Sequence, residues 1–371
     1  MDRVRVGLRG RMSAGGTWAA AALAVALLGT PVVPDAVAQG TPARITDSQA
    51  CGGAAPPAQR EKACALVLQN SALKPKDAAL IHYFRGFALR DLKQGDAALA
   101  EFSDAVRLDP ELWPANWVRA ELLMGRRYYD KAVAAWSDVI NRNPQLASLY
   151  WERGSAWDNQ SRRAEAIGDY TKAIDLAGSK DSLAHFYLDR AVSYEGDRQW
   201  AKALADYAEA IRRDDRLSRA YYGRARVQFL GGDAGSAVAD FDKALERDPA
   251  DYYPLLWLYL AQVRGSKDAL VELKRRAASL DLAKWPGPII RVFLGELTPE
   301  QVRPPAQPEA WTEEDRKAGA ACEVSFYVGE LRLAKGERAK AMALFRAAVA
   351  TGIKEYLEHG AAAYELDRMS R

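Results

Sequence analysis

Histidine is scarce in this chain of 371 residues: only His82, His185 and His359 occur, far apart in sequence and without a second ligand at helical spacing. That scarcity argues against a zinc site and against a histidine general base. No G-x-S-x-G elbow, G-x-x-x-x-G-K phosphate loop or G-x-G-x-x-G fingerprint is present, so neither the metal nor the cofactor classes find a foothold. An excess of one charge is missing too. Lys and Arg number 52 against 49 Asp and Glu, a net +3 that gives no electrostatic case for nucleic acid or an anionic membrane as the main partner. Long apolar runs are absent beyond the first forty residues, and none approaches the roughly 20 residues of a spanning helix, so no membrane span is expected.

The first forty residues are the exception. Arg3, Arg5, Arg9 and Arg11 precede an apolar run from Trp18 to Leu28, and Ala36-Val37-Ala38 supplies small residues for cleavage. Residues 1–38 therefore read as a secretory signal, with the mature chain expected to begin at Gln39 and to be periplasmic or secreted. No Arg-Arg pair supports twin-arginine export, and Cys51 lies too far beyond the apolar run to be a lipid-anchored cysteine. Only Cys51, Cys64 and Cys322 are present. In an exported chain Cys51 and Cys64 are the expected disulfide, closing a Gly-Pro-rich loop worth roughly 3 kcal/mol in the chain-entropy model. Cys322 is left as a free thiol, best read as a small buried helix residue.

The abundant feature is a repeat. Displaced by 34 residues, the chain matches itself: small residues recur at Gly86, Ala120, Gly154, Ala191, Ala225 and Gly329. Twelve positions after each comes an alanine, and four later an aromatic, as in Ala98 with Phe102, Ala132 with Trp136 and Ala341 with Phe345. A small residue allows two antiparallel helices to approach, and an aromatic four residues from an alanine shares its helical face and fills the gap. Turn residues such as Lys93-Gln94-Gly95-Asp96 divide each pair, and Asp109-Pro110, Asn143-Pro144 and Asp248-Pro249 end the second helices. Each unit is thus a helix hairpin.

In five consecutive units this pattern of small, aromatic, alanine and proline positions resembles the tetratricopeptide repeat family. The first-helix aromatic of that family stands at Tyr150, Tyr187 and Tyr221, but His82 and Asn116 replace it in the first two units. The fold expected is all-α, a helix-hairpin solenoid with a divergent C-terminal helical module. Residues 39–78 form an N-terminal segment with a capping helix and 79–251 the five units. Residues 252–302 form a divergent helical segment, with helices over Tyr252 to Val263, Lys267 to Leu280 and Ile289 to Leu294. A Pro-rich connector follows at 303–308, and 309–371 carry a final repeat-like hairpin and a closing helix from Glu355 to Met369. The order of Leu256 to Gln262 (LWLYLAQ), a Trp285-Pro286 turn, a short helix ending Phe293-Leu294-Gly295 and a last repeat ending Phe345 to Gly352 (FRAAVATG) resembles the C-terminal half of the family of NlpI, a periplasmic adaptor lipoprotein. That resemblance implies an adaptor role around cell-wall hydrolases or envelope proteases, and a homodimer.

Two sets of residues are candidates for function. Arg85, Arg119, Arg153, Arg190 and Arg224 precede the small position, and sixteen residues later stand Glu101, Ala135, Asp169, Asp206 and Asp240. A repeated ion pair between the two helices of each hairpin is expected, with Arg119 lacking its acid and the most available to bind something. The family resemblance implies a binding groove lined by the first helices. Its first row is Tyr83, Trp117, Trp151, Leu188 and Tyr222; its second is Phe87, Glu121, Ser155, Val192 and Arg226; its third is Arg90, Met124, Asp158, Glu195 and Phe229. The expected partner site is Tyr83, Phe87, Trp117, Glu121, Trp151, Asp158, Tyr222 and Arg226, holding a protein or peptide by aromatic contact, with Arg226, Glu121 and Asp158 selecting its charge. Packing between units remains the alternative for the aromatic row. The Lys and Asn with which some family members grip a C-terminal carboxylate are missing from the first two rows. The function read from the sequence is a periplasmic protein-binding scaffold or adaptor without cofactor or metal; a structural homo-oligomer of the envelope and an enzyme of unknown type are the alternatives.

Overall fold

A computed structural model describes residues 49–69, 73–178, 183–265, 269–305, 312–354 and 356–370. The signal segment, and residues 306–308 of the connector at 303–308, lie outside the described residues. The chain divides into two compact units, one ending at Arg162 and the other running from Arg163 to the C-terminus.

The first unit is a capping helix α1 (Pro57–Leu68) followed by α2 (Pro75–Asp91), α3 (Gly95–Leu108), α4 (Trp113–Gly125), α5 (Tyr129–Arg142) and α6 (Ala147–Asn159). Proline opens α1, α2 and α4 within their first two positions, where its missing N–H costs nothing. Each hairpin turns through a positive-φ residue, Lys93 and Arg127 in the first two. The repeat spacing has its steric reason at Gly86, where a Cβ would come within 2.8 Å of the Phe102 ring, so α2 and α3 can pack only because the side chain is missing. Cys51 and Cys64 are joined, as expected, and both are buried with Val67 and Ile81, fastening the N-terminal segment to α1 and α2.

The second unit holds α7 (Arg163–Ala177), α8 (Leu183–Gly196), α9 (Trp200–Arg213), α10 (Ser218–Leu230) and α11 (Ala234–Arg247), then the C-terminal module. That module comprises α12 (Tyr252–Arg264), α13 (Ala269–Ala277), α14 (Gly287–Phe293), a 3-10 turn at Pro299–Gln301, α15 (Glu313–Ala334), α16 (Arg338–Ala350) and α17 (Leu357–Ser370). The final hairpin repeats the steric logic of the first: a Cβ at Gly329 would lie 2.8 Å from the Phe345 ring. Its first helix is much longer than a repeat helix, at 22 residues, because Thr312 and Asp315 close a capping box well before the repeat register begins. Trp257, fully buried, meets Phe229 edge-on at 5.4 Å and Phe326 at 5.2 Å, joining the repeat helices to the module in one apolar core. Cys322 is buried and unbridged, and its surroundings push its thiol well above the ordinary range, first through burial. Among the described residues no helix is long and apolar enough to cross a membrane, and no cluster of metal-ligating side chains occurs.

Candidate functional site

The arginine ladder is an ion-pair device. Arg190 grips Asp206 through Nε at 2.7 Å and a second nitrogen at 2.9 Å, Arg224 does the same to Asp240 at 2.7 and 2.8 Å, and Arg85 reaches Glu101 at 2.9 Å. Such two-point pairs fix the rotation of one helix against the other. The polar residues in place of the first-helix aromatic also bond to the second helix: His82 Nδ1 lies 2.7 Å from Glu101, and the Asn116 amide donates to the Ala135 carbonyl and to Asp138 at 3.4 Å each. Arg119 differs from the others. Facing Ala135, it has its Nε buried without a hydrogen-bond partner, and burial lowers the pKa of its guanidinium while nearby Asp138 raises it.

In the first unit the groove positions remain half open. Tyr83 is the exception, 0% exposed and packed edge-on against Phe87 at 4.9 Å, so it serves packing rather than contact with a partner. Phe87, Trp117, Glu121, Trp151 and Asp158 are all half-buried. Trp117 stands edge-on to the buried Trp136 at 5.5 Å, and its indole N–H donates to Glu121 at 2.9 Å. The Arg90 guanidinium lies 4.5 Å from the Phe87 ring centroid. Burial raises the pKa of Glu121, against the lowering effects of the Trp117 hydrogen bond and Arg90. The result is an aromatic row carrying a fixed carboxyl with acceptor capacity to spare.

In the second unit the chain covers its own groove positions. Leu188 and Phe229 are buried. Arg226, expected to read the charge of a ligand, is 4% exposed and engaged: its Nε and Nη2 donate to Glu195 at 3.1 and 2.7 Å, and its guanidinium lies 4.4 Å from the Tyr222 ring centroid. Tyr207 donates to the same carboxylate at 2.5 Å. A buried guanidinium must keep its counter-ion, so Arg226 is a structural cation and the expectation that it selects a ligand is corrected. Two segments lie against these residues: α12, whose Trp257 and Arg264 pack on Phe229, and α17 with the turn before it. Arg198 pairs with Asp367, Trp200 meets Tyr364 edge-on at 5.2 Å, and the Glu358 charge reaches Tyr222 and Arg226.

Sequence reasoning missed the buried carboxyls that hold this arrangement: Glu323, Glu330, Glu358 and Glu365, each at most 2% exposed. Arg264 donates to Glu330 at 2.5 Å and Glu365 at 3.2 Å while stacking 3.9 Å from the Phe229 ring. Glu323 accepts from the Trp285 indole at 3.0 Å and Tyr253 at 3.3 Å, and Glu358 from Tyr327 at 2.8 Å. Burial raises Glu330 to about 7 and raises Glu323 and Glu358 as well. A signal was available: Glu323 and Glu330 are seven residues apart, on one helical face, among apolar neighbours.

A family model described as "Tetratricopeptide repeat" matches residues 118–181 and 188–252. Among solved structures, the chain is similar to PilW, described as a widely conserved type IV pilus biogenesis factor, at 20% identity and TM-score 0.49, covering 58% of this chain and 98% of that one. It is similar to a tetratricopeptide repeat protein from Parabacteroides merdae at 15% identity and TM-score 0.47, covering 65% and 91%. YrrB, described as a TPR protein with an unusual peptide-binding site, is 15% identical with TM-score 0.45, covering 53% and 97%. The matched segments, with the hairpins and interlocking glycine and aromatic positions described above, show that residues 118–181 and 188–252 of this chain carry tetratricopeptide repeats.

Proposed function

We propose that the half-open aromatic row of the first unit holds a protein or peptide segment, and that the protein is an adaptor of the bacterial periplasm rather than an enzyme. One observation carries the reading: Phe87, Trp117 and Trp151 stay partly exposed beside Glu121, whereas in the second unit Leu188, Val192 and Arg226 of the same two rows are buried and only Tyr222 stays partly open. Stiff aromatic side chains bring large contact area at small entropic cost and dominate binding surfaces of this kind. Glu121 can accept from a backbone amide or a cationic side chain of the guest. The signal pattern of residues 1–38 and the Cys51–Cys64 bridge support export, since such bridges persist in oxidising compartments. The C-terminal resemblance to NlpI favours partners among enzymes that act on the cell wall or envelope.

Crosslinking capture from periplasm, comparing the wild-type chain with the double variant Trp117→Ala and Trp151→Ala, tests the groove. Loss of specific partners with retained helical circular dichroism is expected. Unchanged capture would assign the row to packing alone, and turnover of peptidoglycan by the purified chain would overturn the adaptor reading.

A further inference from the structure

The second unit contains a cavity that the groove reading does not use. It has a volume near 70 Å³ and lies between the end of α8, the repeat helix α10 and the start of α17. Arg163, Arg198, Arg226 and Lys354 line it, with Glu195 as the acid among them. The balance of charge there is uneven. Glu195 is spent on Arg226 and Tyr207, which occupy both its oxygens, and Arg198 is paired with Asp367. The side chains of Arg163 and Lys354 make no hydrogen bond or ion pair among the described residues. Arg163 is also held in place by shape. Its guanidinium lies directly against Gly196, where a Cβ would come 2.0 Å from Nε, so a side chain at residue 196 would push the guanidinium aside.

The remaining walls come from Trp200, Leu230 and Leu357, and the first turn of α17 adds the positive end of its helix dipole. Two uncompensated cations over an apolar floor, in a space of this size, match one chemistry. A guanidinium presents parallel donors that fit a carboxylate at two points, and a lysine adds a point charge. We propose that this cavity is a binding site for a carboxylate borne on a small apolar body, either a free short-chain acid or the end of a peptide, seated between Arg163 and Lys354. It is independent of the aromatic row of the first unit.

The test uses the full chain labelled with 15N-glycine, reading the Gly196 and Gly360 amide signals, which are identified by substitution. Sodium propionate, propionamide, and a tetrapeptide Ala-Ala-Ala-Leu with a free or an amidated end are the probes. Saturable shifts with propionate or the free-ended peptide, but not with propionamide or the amidated peptide, are expected. Response to propionate alone identifies a free acid as the ligand, and response to the peptide alone identifies a chain end. Arg163→Gln and Lys354→Gln should each weaken binding at least tenfold, and Gly196→Ala should do so by displacing the guanidinium. The proposal is overturned by no saturable shift with any probe up to high millimolar concentration, or by shifts unchanged in the Arg163→Gln, Lys354→Gln double variant. Equal response to propionamide overturns it too. Far-UV circular dichroism confirms that the variants are folded, and aromatic-row variants should leave these signals unmoved, so the two readings fail separately.

Discussion

The same repeat positions meet opposite ends in the two compact units. In the first, Phe87, Trp117, Glu121 and Trp151 stay partly open, with Phe87 packed on Phe102 and Trp117 on Trp136 of the second helices. In the second, Leu188, Glu195, Arg226 and Phe229 are buried: Trp257 and Arg264 of α12 pack on Phe229, and the start of α17 lies beside Glu195 and Arg226. A repeat position therefore has no fixed role. It becomes a binding surface or a core according to what the rest of the chain lays against it, and the covered face has acquired ion pairs where the open one keeps aromatic rings.

Removing the central indole of the covered unit should break the comparison most severely. Trp257→Ala deletes a fully buried ring between Phe229, Phe326 and Tyr327 and should cost about 3–5 kcal/mol. Denaturant unfolding followed by hydrogen exchange should show the second unit opening first, with the first unit unaffected. The two arginine positions come next. Arg190→Leu strands the buried Asp206 and should cost about 3 kcal/mol, whereas Arg119→Leu removes an unpartnered buried nitrogen and should be neutral or stabilising by about 1 kcal/mol. Equal costs in chemical denaturation would show that the missing acid at Ala135 has no consequence.

Reduction of the Cys51–Cys64 bridge should cost up to about 3 kcal/mol, since it releases a short closed loop, and the loss should be confined to the first unit. The second unit should instead answer to pH. Glu330 is raised in the fold from 4.5 to about 7, so between those values the unfolded chain ionises while the folded one keeps its proton. Stability of the second unit should therefore fall as pH rises through that window and level off above it, by at most about 3 kcal/mol. Glu330→Gln should flatten the dependence, as read by thermal unfolding at pH 5 and pH 8. A profile that rises with pH would contradict the assigned burial. The smallest effect is expected from Trp117→Ala, which should change stability less than Trp257→Ala because its side chain is only partly buried.

Much of this was legible in the sequence. The hairpins, the glycine and aromatic interlock, the ladder and the bridge were all expected, and the ladder's gap at Arg119 was visible as an alanine sixteen residues on. Element ends were less so. The helix expected to run to Leu280 ends at Ala277, and the helix before Gly329 extends back to Glu313 because its cap lies outside the repeat register. The groove was legible only as a set of positions: Tyr83 and Arg226 fit the pattern as well as Trp117 does, yet one is packing and the other a buried cation.

The sequence by itself determined the hairpins, because their partners lie sixteen to nineteen residues apart and their spacing recurs every 34. Only the tertiary structure decided which groove positions remain open. Trp200 with Tyr364, Arg198 with Asp367 and Arg264 with Glu365 join residues more than a hundred positions apart, and no period in the chain encodes such pairs. They depend on the path of the closing helix, which is set by packing around Trp257 rather than by any local preference.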